Sequence, residues 1–180
     1  MRIIAGDLRG RRLHPPMGLP VRPTTDMARE ALFNILRNRV EFDQVSVLDL
    51  FSGTGAIGLE FISRGVKHVT SVELNPKCVD FQKRTAEEFG LNNFVALRMD
   101  AFNFLGRSRQ AFDIVFADPP YELKQFDIIP ELVLKSFLKP YGIFVLEHSK
   151  AHDFKSNLYF VEQRHYGKVN FSFFQKEQEE

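Results

Sequence analysis

Between residues 45 and 149 the chain alternates short apolar runs with longer amphipathic segments, and this alternation restricts the possible folds more than any other feature. Runs rich in β-branched residues are typical of strands buried on both faces, and parallel strands need long, usually helical, connections. The strand-like runs are VSVLDLF, HVTSVEL, NFVALRMD, FDIVFAD and GIFVLEHS. The pattern predicts an α/β fold with a mostly parallel, doubly wound sheet and helices on both faces.

The regions on either side of this pattern extend the predicted sheet. On the amino-terminal side we expect a hairpin in residues 2–14, a Pro/Gly-rich connector, and an amphipathic helix in TTDMAREALFNILRNRV capped by Thr24 or Thr25. On the other side we expect a helix around 126–138 and two strands, at 158–166 and 169–174, that form an antiparallel edge. Together these elements make one domain.

Composition excludes several classes of protein. The 180 residues are 44% hydrophobic and 26% charged, which is the composition of a globular domain with a substantial core. No apolar stretch approaches the length of a membrane span, and the first residues lack the apolar middle of a secretion signal, so we expect a cytoplasmic protein. The single cysteine, Cys78, has no companion for a disulfide or a zinc cluster, and we expect no metal site.

Positive charge is concentrated near the amino terminus, although the whole chain has a net charge of only +1. Residues 1–29 contain two aspartates and six arginines, namely Arg2, Arg9, Arg11, Arg12, Arg22 and Arg29. The stretch is either an ordinary solvated surface or a contact for nucleic acid. Arginine in every basic position favours phosphate contact, because guanidinium binds phosphate through paired hydrogen bonds. The candidate contacts are Arg9, Arg11, Arg12 and Arg22.

Acidic residues stand at or near the carboxyl ends of successive predicted strands. Asp49 lies in the first strand, the next three end at Glu73, Asp100 and Asp118, and LEHS closes the fifth. In doubly wound sheets, ligands bind outside the carboxyl ends of the strands. Any one of these acids could be a helix cap or a surface charge, but their shared position predicts a site.

The turn after the first strand, GTGAIG from Gly53, matches the GxGxxG pattern of dinucleotide-binding proteins, with Glu73 at the distance expected for a ribose contact. A hydride-transfer enzyme is therefore one candidate. A pyrophosphate favours a positive helix end without a nearby anion, whereas Asp49 lies four residues before Gly53. A carboxylate there favours a cationic ligand such as S-adenosylmethionine, which has an amino group and a sulfonium.

The fourth strand ends in FADPPYE, in which two prolines and a tyrosine follow a carboxylate. Proline has no N–H for the strand ladder and restricts the residue before it, so the strand must end at Asp118. Asp-Pro is also an ordinary turn sequence. At an edge that binds ligands, a carboxylate and a carbonyl held with little freedom favour a catalytic role.

Four segments in this order, DLFSGTGAIGLE, SVEL, RMDAF and FADPPY, resemble the motifs of class I S-adenosylmethionine-dependent methyltransferases. RIIAGDLRGRRL, RPTTDMAREALFNIL, SRG and YG extend the similarity to nearly the full chain, and resemble the bacterial small-subunit ribosomal RNA guanine-N2 methyltransferase family often called RsmD. The resemblance implies a Rossmann-like, seven-stranded sheet with one antiparallel strand. It also implies methyl transfer from S-adenosylmethionine to the exocyclic N2 amine of a guanine in 16S ribosomal RNA.

The same resemblance implies roles for individual residues. The methionine side of the cofactor would be held by Asp49 and by the turn of Phe51, Ser52, Gly53, Thr54 and Gly55. Its ribose would bind Glu73, and its adenine would contact Leu74, Asp100 and Ala101. Asp118 and the Pro119 carbonyl would accept the two hydrogens of the target amine, Pro120 would keep the turn rigid, and Tyr121 would stack on the base.

The expected organisation follows from these assignments. A basic hairpin and connector in 1–23 is the candidate RNA contact, 24–174 is the methyltransferase domain, and 175–180 is a frayed polar tail. The expected enzyme is a metal-free monomer without a membrane partner, and its substrate is 16S ribosomal RNA in the small subunit or in an assembly intermediate. Two other functions stay open: adenine-N6 methylation of DNA or RNA, and methylation of a protein glutamine.

Overall fold

The computed structural model describes residues 1–19 and 24–176, and within them the chain folds around one sheet. The strands in chain order are β1 (Ser46–Leu50), β2 (His68–Glu73), β3 (Phe94–Arg98), β4 (Phe112–Ala117), β5 (Leu138–His148), β6 (Phe160–Tyr166) and β7 (Val169–Gln175). The helices are α1 (Asp26–Arg37), α2 (Ala56–Ser63), α3 (Pro76–Glu88), α4 (Ala101–Arg107) and α5 (Ile129–Ser136), with short 3-10 turns at Phe42–Gln44 and Phe126–Ile128.

The strand order is β3-β2-β1-β4-β5-β7-β6. The strands from β3 to β5 pair in parallel, whereas β7 is antiparallel to both β5 and β6. Only β7 is therefore reversed among the strands of the described residues, and β6 has the direction of β5. This confirms the predicted seven-stranded sheet with one antiparallel strand.

Each face of the sheet has its own hydrophobic core. Buried residues of α1, α2 and α3 pack on one face, around Leu32, Phe33 and Phe61, while α4 and α5 pack on the other, around Phe104 and Val133. Side chains alternate along β1, so Val47 joins the first core and Leu48 the second. The prediction of helices on both faces is confirmed.

The amino-terminal segment packs against α1 and α2. Ile3 and Leu13 are buried in the core of that face, and the buried carboxylate of Glu60 accepts the N–H groups of Ile4 and Ala5 at 2.9 and 3.0 Å. The predicted hairpin in 2–14 is short: it has one antiparallel bridge, between Arg2 and Arg12, and backbone hydrogen bonds from the Ile3 N–H to the Arg11 carbonyl at 3.0 Å and from the Leu13 N–H to the Met1 carbonyl at 2.9 Å.

Several boundaries differ from the prediction. β3 ends at Arg98 and β4 at Ala117, one or two residues before the predicted ends at Asp100 and Asp118. The helix expected around 126–138 is a 3-10 turn followed by α5, whose start places Pro130 in the first turn, where its missing N–H is tolerated. β5 begins at Leu138 rather than at residue 142, because Leu138 pairs with Phe112 ahead of a register shift. The expected tail at 175–180 lies outside the described residues from position 177 onward. No helix within residues 1–19 and 24–176 is long and apolar enough to cross a bilayer.

Candidate active site

The sheet edge at which the parallel strands end contains the residues that the sequence predicts to bind the cofactor and to catalyse the reaction. From β1 the chain continues to β2 and β3 on one side and then crosses back to β4 on the other side of β1. The carboxyl ends of the neighbouring strands β1 and β4 are therefore the switch point where such sheets bind ligands. At this switch point the Asp118 N–H donates to the Leu50 carbonyl at 3.4 Å. Asp118 therefore lies beside the turn that begins at Phe51.

The turn from Phe51 to Gly55 is tight because three of its residues have positive φ. Phe51 has a φ of 56°, Gly53 of 55° and Gly55 of 76°, and this conformation is unfavourable for phenylalanine. The Gly55 N–H donates to the Ser52 carbonyl at 2.8 Å, and α2 begins at the next residue. A Cβ atom at Gly55 would lie 2.8 Å from Cγ of Gln82, so space as well as conformation requires glycine there.

Gln82 of α3 holds this turn from behind, and the sequence analysis did not identify it. Its side chain is fully buried, and its amide nitrogen donates to Ser52 Oγ at 2.9 Å and to the Gly53 carbonyl at 2.7 Å. Its amide oxygen accepts from Ser71 Oγ at 2.6 Å. The sequence signal that could have identified Gln82 is its position on the same side of α3 as the buried Val79 and Ala86, because a polar side chain on a buried face needs hydrogen-bond partners.

Asp49 supplies a buried carboxylate beneath the start of α2. It is 1% exposed, and its Oδ2 accepts the Gly58 N–H at 3.0 Å. Burial raises the pKa of Asp49 to about 8; the Gly58 hydrogen bond opposes this shift and the charge of Glu73 adds to it. Such a carboxylate is prepared for a cationic partner, whose charge would offset the cost of ionising it.

Glu73 connects the end of β2 to the glycine turn. One carboxylate oxygen accepts the Gly53 N–H and the other accepts the Asn75 N–H, both at 2.8 Å. An ionised carboxylate has about four acceptor positions, so capacity remains for ligand hydroxyl groups. The adjacent Leu74 is 60% exposed and presents apolar surface at the same edge.

Asp100 is the N-cap of α4, where its carboxylate accepts the Asn103 N–H at 2.9 Å. The sequence left a capping role open for this acid, and the structure contains that contact. Ala101, the first residue of α4, is buried. The ring of Phe102, which sequence reasoning missed, packs edge-on against Phe51 at 6.1 Å and brings α4 to the glycine turn.

The DPPY segment forms a turn directly after β4. Asp118 and Tyr121 are half-buried, Pro119 is buried and Pro120 is exposed, and the Pro120 carbonyl accepts the Leu123 N–H at 3.0 Å. The two prolines fix φ on either side of the Pro119 carbonyl, so the strand end and the turn are stiff. The structure thus places all four predicted catalytic residues together at the switch point.

A cavity of about 190 Å³ opens beside Tyr121. Its walls come from the start of α1, the DPPY turn, the end of β5 and the β6–β7 turn: Thr25, Met27, Tyr121, Glu147, Tyr166, Gly167, Lys168 and Val169. A larger open hollow of about 300 Å³ lies over α3, next to His14 and Phe81, away from the strand ends. The smaller cavity is therefore the candidate substrate pocket.

The candidate RNA contacts lie elsewhere on the molecule. Arg9, Arg11 and Arg12 are exposed, and Arg22 lies outside the described residues. The N–H of Asp7 donates to the Ser63 carbonyl at 2.8 Å, and the guanidinium of Arg11 lies 4.6 Å from the ring centroid of Phe89. Because α2 and α3 begin at the carboxyl edge, their last residues lie at the opposite edge, and the segment carrying Arg9 and Arg11 lies there too.

Comparisons with known proteins agree with this geometry. The family model described as Conserved hypothetical protein 95 matches residues 1–175. The ribosomal RNA small subunit methyltransferase D of Buchnera aphidicola is 30% identical over 154 residues, 84% of this chain and 77% of the relative. The Haemophilus influenzae protein of the same name is 33% identical over 155 residues, 83% and 79% of the two chains. An Escherichia coli structure, provisionally described as the methyltransferase yhhF, has a TM-score of 0.87 at 28% identity and covers 99% of both chains.

The strand order, the glycine turn and the acidic residues at the strand ends define a class I methyltransferase. The relatives narrow this class to methyltransferases of small-subunit ribosomal RNA. The chain belongs to the ribosomal RNA small subunit methyltransferase D family. This confirms the resemblance found in its motifs.

Proposed function

We propose that this enzyme transfers a methyl group from S-adenosylmethionine to the N2 amine of a guanine in 16S ribosomal RNA. The observation that carries the proposal is the hydrogen bond from the Asp118 N–H to the Leu50 carbonyl, the last residue before the glycine turn. It places the DPPY turn next to the turn proposed for the cofactor, so that a donor and an acceptor of the methyl group can meet. The names of the family relatives support ribosomal RNA as the substrate.

The residues at the glycine turn fit S-adenosylmethionine. Bound there, this cofactor supplies a methyl group activated by a sulfonium. The buried carboxylate of Asp49 would suit its amino group, the turn from Phe51 to Gly55 would lie against its methionine portion, and Glu73 has acceptor capacity for the ribose hydroxyls. Leu74 and the edge formed by Asp100 and Ala101 would contact the adenine.

The DPPY turn would activate the amine, whose lone pair is delocalised into the guanine ring. With one hydrogen bonded to the Asp118 carboxylate and the other to the Pro119 carbonyl, the nitrogen would lose conjugation and direct its lone pair at the methyl group. Tyr121 would stack on the base, which must leave its helix or loop to enter. The methylated ammonium is acidic, and Asp118 or water would take its proton.

The remaining expectations concern the partners. Arg9, Arg11, Arg12 and Arg22 are proposed to contact the RNA backbone, and for the first three exposure and the absence of a carboxylate ion pair in the described residues support this role. A monomeric, metal-free enzyme in the cytoplasm stays a prediction. So does the small subunit or an assembly intermediate as the form of the substrate.

The proposal is tested with methyl-labelled S-adenosylmethionine, small ribosomal subunits from a strain that lacks the enzyme, and nucleoside analysis after digestion. We expect label in N2-methylguanosine. Label in N6-methyladenosine would reject the guanine assignment, and label absent from RNA would favour a protein or DNA substrate. Asp118→Ala should abolish transfer while cofactor binding measured by calorimetry is retained; the neighbouring exposed Glu122→Ala is the matched control and should stay active.

A further inference from the structure

Two acidic residues, Asp118 and Glu147, stand at the carboxyl ends of the adjacent strands β4 and β5, and the proposed reaction uses only one of them. β4 and β5 are parallel, with Ala117 paired to Leu146. Asp118 comes directly after Ala117, at the end of β4, and Glu147 comes directly after Leu146 within β5, and adjacent strands are about 5 Å apart. Val145 packs on the face covered by α1, and Glu147, two residues further along β5, belongs to the same face. Asp118 follows Phe116 of that face at the same spacing.

Glu147 is built into the cavity beside Tyr121. It is 4% exposed and lines the cavity wall. Its Oε2 accepts a hydrogen bond from Thr24 Oγ1 at 3.0 Å. A carboxylate has about four acceptor positions, so this contact is compatible with a further hydrogen bond to a ligand.

We propose that Glu147 selects guanine as the target base by accepting the hydrogen of its ring nitrogen N1. Guanine carries two neighbouring donors on one edge, the N2 amine and the N1–H, and this pair matches the neighbouring carboxylates of Asp118 and Glu147. Adenine offers the N6 amine beside an unprotonated N1, whose lone pair would face the carboxylate of Glu147. The site therefore rejects adenine by repulsion as well as by a lost hydrogen bond.

This inference rests on the proposed function, because it assumes that the base enters the cavity with its amine at Asp118. It explains how a DPPY turn, which suits any planar amine, would be restricted to one base. The competing explanation is structural: Glu147 would only hold neighbouring parts of the chain together, among them the segment before α1 through Thr24. The two explanations differ in which variants and which bases change the rate.

The test compares Glu147→Gln with Thr24→Val in the full-length enzyme. Glutamine keeps the size of the side chain and an acceptor for Thr24 but loses the charge, whereas valine removes the hydroxyl contact and leaves Glu147 in place. We expect Glu147→Gln to lower kcat/KM for guanine by about 10- to 100-fold, with the melting temperature and the Kd for S-adenosylmethionine unchanged. Thr24→Val should stay within about threefold of wild type, because it removes one neutral hydroxyl donor that does not touch the base. An equal loss in both variants would overturn the proposal.

A change in the substrate tests the same contact without relying on a variant. Once the methylated guanine is located, it is replaced by 2-aminopurine, which keeps the amine at C2 but has an unprotonated N1. Wild type should act on it at least about tenfold more slowly than on guanine, and Glu147→Gln should narrow that ratio. Equal rates of wild type on both bases, or an unchanged ratio in the variant, would refute the role of Glu147. Failure of wild type to produce N2-methylguanosine would instead refute the proposed function itself.

Discussion

Asp49 should make the stability of this enzyme fall as the pH rises, and Asp49→Asn should remove that dependence. The folded pKa is raised from 3.8 to about 8, so the folded protein binds a proton that the unfolded chain releases between these values. The contribution of Asp49 to stability is therefore complete below about pH 4 and is lost progressively up to about pH 8. Each pH unit in this window lowers the free energy of unfolding by about 1.4 kcal/mol.

From about pH 5 to about pH 7 the loss attributable to Asp49 is thus about 3 kcal/mol. Asparagine keeps an oxygen that accepts the Gly58 N–H but has no charge to bury. The variant should therefore gain about 3 kcal/mol relative to wild type between the two pH values in urea unfolding. A stability difference between the two proteins that does not change with pH would refute the reasoning, and Asp80→Asn, on the exposed side of α3, is the matched control.

The same carboxylate should link cofactor binding to proton release. If the amino group of S-adenosylmethionine binds ionised Asp49, wild type must release a proton on binding below about pH 8. Titration calorimetry in buffers of different ionisation enthalpy measures this proton. Asp49→Asn should bind about 10- to 100-fold more weakly and release none at this position. Equal proton release by both proteins would show that the cation lies elsewhere.

Two further predictions follow from the contacts around the sheet. Gln82→Leu removes three hydrogen bonds behind the glycine turn and should cost about 3 kcal/mol of stability, together with cofactor affinity, in chemical unfolding and calorimetry; full affinity in a destabilised variant would contradict a positioning role. Replacing Arg9 and Arg12 together by glutamine should lower RNA affinity and flatten its dependence on salt, whereas Arg107→Gln on α4 should leave the slope unchanged. Equal slopes in all three proteins would exclude Arg9 and Arg12 from the RNA contact.

The alternation of strands and helices between residues 45 and 149 is enough to predict the five parallel strands of the sheet, because short apolar runs and amphipathic segments follow one another regularly there. The 126–138 region was harder, since Pro130 fits both a helix start and an interruption. The early start of β5 depends on the partner Phe112 and on Tyr141, which adopts a φ of 61°. Neither pairing nor such a conformation can be found in local periodicity.

The candidate site was predictable where a residue type has a chemical meaning at a strand end, as for Asp49, Glu73 and Asp118. Gln82 was missed because its role depends on which face of α3 meets the glycine turn, which only the packed structure supplies. The amino-terminal segment illustrates a second limit. Its charge was evident, but its position at the edge opposite Asp118 depends on bonds to Ser63 and on the contact of Arg11 with Phe89.

The reversed direction of β7 places the β6–β7 turn at the same edge as the ends of the parallel strands, on the side of the proposed base pocket. Because β6 ends and β7 begins at the carboxyl edge, their short turn at Gly167 closes the cavity beside Tyr121. The residues proposed to bind the methyl donor lie at the ends of β1, β2 and β3, on the other side of the switch point. If the base enters this cavity as proposed, substitutions in the turn at Gly167 would alter which base is admitted and leave the donor half unchanged, so new substrates could evolve in this scaffold one half at a time.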